Sequence, residues 1–132
     1  MAGVALIATG LFAIVTGADP QPPTPNHVAN FMRLKLDHAQ KILEGIVLED
    51  YEKIDKQAQH LSLLSQAASW QVLQTPEYLQ HSGEFRRAAN AVSAAAKDKN
   101  LDGAALAYME MTMKCVNCHK YVRDMRLASL AP

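Results

Sequence analysis

Cys115-Val116-Asn117-Cys118-His119 is the segment of this chain whose residue types and spacing could do chemistry. Two thiols three residues apart on a helix stand on one side of it. Each can add to a vinyl group at adjacent edges of a porphyrin, and the histidine next in sequence is then carried beneath the iron as an axial ligand. Cys-x-x-Cys-His with that outcome is the pattern of covalent c-type haem attachment. Two other readings use the same residues. A thiol–disulfide oxidoreductase pair belongs at the start of a helix after a strand, where the dipole lowers a thiol pKa; nothing before Cys115 reads as a strand, and the pair would have to be free. A zinc site needs further ligands in a matched pair, whereas His27, His38, His60 and His81 are scattered singly. The spacing favours haem.

The elements that must position this motif are helical. Met32, Leu36, Ala39, Leu43 and Ile46 recur at intervals of four and three, which predicts an apolar stripe on a first helix capped by Asn26 and ending near residues 45–47. Tyr51, Ile54, Ala58, Leu61, Ser65 and Ala68 repeat the seam on a second helix over 48–73, with Glu49, Asp50 and Glu52 in the first turn where the dipole favours them. Thr75-Pro76 predicts a short helical turn over 76–79, closed by His81-Ser82-Gly83. A third helix carries Phe85, Ala88, Ala89, Val92, Ala95 and Ala96 on one face and ends at Lys97, Lys99 and Asn100. The fourth starts at Leu101 or Asp102, meets no breaker before Pro132, and contains the cysteine motif. No run alternates apolar and polar side chains long enough for a strand. Four helices with short connections predict an all-α fold, an antiparallel four-helix bundle with neighbours packed at about 20°.

Residues 4–15 form an uncharged apolar run followed by Thr16-Gly17-Ala18, which predicts an export leader over residues 1–18, cleaved after Ala18, although no Lys or Arg precedes the run. The run is shorter than the roughly 20 residues a spanning helix needs, so no stable membrane insertion is expected after cleavage. Residues 19–26, with four prolines, read as a linker, and residues 27–130 as the folded domain. Thirteen Lys and Arg balance thirteen Asp and Glu, leaving no positive field for nucleic acid or an anionic membrane. No Ser-His-Asp set, paired carboxylate or phosphate loop suggests substrate turnover, so the chain is not expected to be an enzyme.

The run from Asn100-Leu101-Asp102 through the cysteine motif to Arg123 resembles the final helix of the class II cytochromes c, the cytochrome c′ group and its low-spin relatives. The likeness is specific there and one of architecture upstream, over about residues 26–127. That family carries an aromatic residue three positions after the histidine; here Val122 stands there and Tyr121 precedes it. The resemblance implies one covalent haem c per chain, Arg123 beside it, and a second axial position facing the first helix. Met32 is the candidate there, because a thioether is a soft neutral ligand that favours low-spin iron. Where the first helix offers only Leu36 or Ala39, the iron is five-coordinate and open to nitric oxide or carbon monoxide. His38 lies six residues on from Met32, about 120° round the helix, which makes bis-histidine ligation a minor option. Arg33 and Arg123 have the paired donors to hold haem propionates. Met109 and Met113 share a side of the fourth helix and are expected to line the haem pocket; Trp70 and Tyr78 are expected to close one end of the bundle. The expected protein is a periplasmic one-electron carrier with His119 and Met32 as ligands, redox proteins as partners, and a homodimer through the first two helices among what the resemblance implies. The alternative is a five-coordinate gas binder.

Overall fold

Thr24 starts the first helix. Its side chain accepts a hydrogen bond from the His27 backbone N–H, and Pro25 follows at the first helical position, where its missing donor costs nothing. The cap is therefore Thr24 rather than Asn26, and part of the expected linker is already helical. The computed structural model describes residues 24–67 and 72–130. The expected leader, most of the linker, Ala68 and Trp70 lie outside the described residues. Every regular element among the described residues is helical: α1 (Pro25–Val47), α2 (Tyr51–Leu64), α3 (Pro76–Lys97) and α4 (Leu101–Leu130).

The chain reverses between α1 and α2 within three residues. Glu49 takes a left-handed conformation with φ 55°, and Asp50 caps α2 by accepting from the Lys53 N–H at 2.9 Å. Gly45 permits this closeness, since a Cβ there would stand 2.8 Å from Ile54 Cγ1. The second helix thus begins at Tyr51, three residues later than the expected 48. It also ends earlier, at Leu64 instead of residue 73. Ser65 caps it, donating its hydroxyl to the Ser62 carbonyl at 2.6 Å and accepting from Arg86 Nε at 2.9 Å, so the end of α2 is tied to α3.

α3 corrects a further expectation. His81, Ser82 and Gly83 do not close a short turn; they lie inside one helix from Pro76 to Lys97. A mid-helix glycine costs only about 1 kcal/mol, and here packing overrides it. Tyr78, Ser82, Phe85, Ala89, Val92 and Ala96 are all buried and recur at intervals of four and three, a continuous seam across the supposed break. α3 then ends in a turn where Lys99 has φ 52°, and Asn100 accepts from the Gly103 N–H at 2.9 Å as α4 begins.

Each helix packs on its neighbours in sequence, and α1 closes the ring on α4 through the sparsest of the four interfaces. This is a helical bundle whose seal is incomplete along one edge. The core lies between α2, α3 and α4, with Ile54, Leu61, Phe85 and Met111 among its large members and alanines on α3 allowing close approach. From α1, Ile42 enters it fully. The stripe expected to be the core face of α1 is rotated: Leu36 and Leu43 are exposed. No helix among the described residues is long and apolar enough to cross a membrane.

Candidate functional site

The loose edge between α1 and α4 holds two adjoining cavities. One, of about 330 Å³, is walled by Met32, Arg33, Leu36 and Ala39 of α1, by Leu61 and Phe85 of the core, and by Cys115 and His119 of α4. The other, of about 710 Å³, runs toward the start of α1 and the end of α4, with Val28, Ala29, Tyr78, Cys118, Val122 and Arg123 among its walls. Met32, Lys35, Phe85, Cys115 and His119 line both. Each volume falls within the roughly 300–1,000 Å³ of small-molecule sites, and the lining is mainly apolar.

α4 positions the thiols and the imidazole because it is unbroken through them. Cys115, Cys118 and Val122 follow Met111 at helical intervals on the side turned inward, and both cysteines pack partly buried against the core. His119 stands at the rim, exposed yet facing both cavities. Beside the motif, Lys114 Nζ lies 3.4 Å from Glu84 Oε2, pinning α4 to α3 at this level. Tyr121 adds a second tie, its hydroxyl 2.6 Å from Thr75 Oγ1.

The electrostatics of the gap follow from burial and one cation. Burial pushes the Cys115 and Cys118 thiols above their ordinary pKa, although the Lys35 ammonium pulls each back. Burial lowers His119, and Lys35 and Arg123 lower it further. The result is protonated thiols and a neutral imidazole, the form that can ligate a metal. A thiol–disulfide enzyme needs the reverse, a depressed thiol pKa. Both cysteines are free thiols here.

No protein-family model, curated protein or solved structure matches this chain.

Of the residues singled out in the sequence, Met32, Arg33, Leu36, Cys115, Cys118, His119 and Arg123 all line one or both cavities. Others do not. Met109 and Met113 are 65% and 53% exposed and line neither cavity, while Met111 between them is 1% exposed. Residues two apart on a helix differ by about 200° in direction, so burying Met111 turns both neighbours outward. His38 is engaged elsewhere: its Nδ1 lies 2.6 Å from Gln57 Oε1 and its ring meets His60 edge-on at 5.1 Å. Tyr78 is buried, as expected, with its hydroxyl pKa pushed up to about 12 by burial. Among the described residues, no three His, Cys, Asp or Glu side chains converge as a metal-holding group.

Lys35 and Phe85 join the site only in the structure. The lysine has a signal in the sequence: it sits three residues after Met32 and so on nearly the same face of α1. Phe85 reads from sequence only as a core residue, because which side of a core ring borders a cavity depends on packing.

The residues fit a haem on three counts. Two thiols and an imidazole lie along one helix, a mainly apolar gap opens beside them, and two arginines, Arg33 and Arg123, are exposed at its edges.

Proposed function

We propose that this chain is an exported, periplasmic c-type cytochrome with one covalent haem, working as a one-electron carrier rather than an enzyme. The observation that carries this reading is that Cys115 and His119 of α4 line the same cavity as Met32 of α1. Cys115 and Cys118 would hold the group through thioethers, each thiol adding its sulfur and hydrogen across a vinyl double bond. His119 and Met32 would hold its iron. Such a group, when bound, supplies an iron that exchanges a single electron. Phe85, Leu61 and Ala39 give this cavity apolar walls, and an apolar surrounding would limit the reorganisation that accompanies a one-unit change of charge. Arg33 and Arg123 offer bidentate donors to carboxylates leaving the apolar gap. The leader-like residues 1–18 support export, and redox proteins are the partners that such a carrier would require.

The test begins with expression in a host that matures c-type cytochromes. One haem per chain should survive acid–acetone extraction and appear as added mass. A protein of bare polypeptide mass would overturn the reading. In the oxidised protein, a low-spin spectrum with a sulfur-to-iron charge-transfer band toward the red should be present, and Met32→Ala should abolish it. Leu36 lines the same cavity, and that position favours a second reading, a five-coordinate haem binding nitric oxide or carbon monoxide on an apolar distal side. High-spin iron taking up carbon monoxide rapidly would select it.

A further inference from the structure

Lys35 is the charged side chain common to both cavities. It projects from α1 into the gap, with its Nζ 4.8 Å from the centroid of the Phe85 ring. The ring face attracts a cation, an interaction that strengthens when both partners are shielded from water. Taking an ammonium out of water is costly, and burial lowers the pKa of this one to about 8, with the cysteine sulfurs partly restoring it. At neutral pH Lys35 is still mostly charged. Its field already reaches Cys115, Cys118 and His119, the three residues that would hold the haem, since it lowers the pKa of each.

We propose that Lys35 sets the reduction potential of the haem, placing a fixed positive charge in the gap that favours the reduced state. This rests on the haem reading above. Reduction removes one positive charge from the iron centre, so a nearby cation destabilises the oxidised form more than the reduced form. The strength of that preference depends on dielectric and screening. Arg33 and Arg123 are exposed and are screened by water and salt, whereas Lys35 is largely withdrawn from both. A lysine also sits where a leucine would fill the space without desolvating a charge, and a tuned potential is a function that only the charge can serve.

Redox titration of the matured holoprotein tests this, comparing wild type with Lys35→Gln, Lys35→Leu and Lys35→Arg. Loss of the charge in the first two should shift the one-electron equilibrium against a reference couple at least tenfold toward oxidation, a fall of about 59 mV. Lys35→Arg should stay within threefold of wild type. The axial-ligand bands should be the same in all four proteins, which separates charge from displaced ligands. Having two neutral variants guards against one that fails to fold. A neutral variant with an unchanged or higher potential overturns the proposal, and so does an arginine variant that falls as far as the neutral ones. Absence of covalent haem in wild type is seen before any potential is measured, and it overturns the haem reading and this proposal together.

Discussion

Three methionines at alternate positions of α4 show how much one residue's direction matters. Met111 is buried between α4 and the core, whereas Met109 and Met113 face outward. Truncating a buried methionine removes apolar contacts and leaves a cavity, so Met111→Ala should lower unfolding free energy by about 2–5 kcal/mol. Met109→Ala, with its side chain mostly in water, should change it by no more than about 0.5 kcal/mol. Urea unfolding of the two variants checks both, and equal costs would mean that α4 is turned differently on its axis. Gly45 makes a second test. An added Cβ would meet Ile54 Cγ1 at 2.8 Å and the Asp50 carbonyl oxygen at 3.3 Å, so Gly45→Ala should cost about 1–3 kcal/mol despite the better helix propensity of alanine. Neither cost could be read from periodicity. The alternation of methionines shows that two share a face but not which face is inward, and a glycine near a helix end reads as a stop signal when its use here is close approach.

Between elements, polar ties fix how the helices meet. Asp55 on α2 accepts hydrogen bonds from Ser93 on α3 and from Gln59, and Lys97 Nζ approaches it at 3.7 Å. Burial pushes its carboxyl up, but these partners outweigh burial and hold it below its ordinary value. The folded pKa is thus lower than the unfolded pKa of about 3.9. Stability from Asp55 is therefore present in full above about pH 5 and is lost as pH falls through the folded value. Asp55→Asn should cost about 1–2 kcal/mol at pH 7, and the difference in unfolding free energy between pH 7 and pH 3 should shrink relative to wild type. An unchanged difference would show that Asp55 is not the group responsible. Thr75 does double duty, capping α3 through the Tyr78 N–H at 3.2 Å and meeting the Tyr121 hydroxyl of α4 at 2.6 Å. Thr75→Ala should cost about 1–2 kcal/mol, more than Tyr121→Phe, because only the first removes the cap. Thr75-Pro76 was legible as a helix start from sequence alone. That the helix continues through Gly83 was not, because its seam is formed of Tyr78 and Ser82 as well as of aliphatic residues, and only burial reveals a serine as a core position.

For the whole molecule, the decisive feature is that the ring of helices closes weakly on one edge, so the gap between α1 and α4 leaves apolar walls incompletely packed. On the haem reading proposed above, a covalently held group filling this space would stabilise the folded form relative to the unfolded one. The Cys115→Ser, Cys118→Ser double variant should then remain helical by circular dichroism but unfold at a lower denaturant concentration than wild type matured in a haem-attaching host. Equal midpoints for the two would count against a group filling this gap.

Taken alone, the amino-acid sequence was enough to determine the helical class, the approximate extents of the first and last helices and the residues able to do chemistry, because helical periodicity, caps and a five-residue motif are local properties; the end of α2 and the start of α3 were not legible in it. It also placed Met32, Leu36 and the cysteine motif on helices that turn out to face one another. Only the tertiary structure decided that α1 and α4 part where those residues meet, that Lys35 shares the gap with them, and that Met111 is inside while Met109 and Met113 are outside. Rotation of each helix about its own axis and the closeness of each pair are set by how all four surfaces pack at once, and no stretch of sequence contains that information by itself.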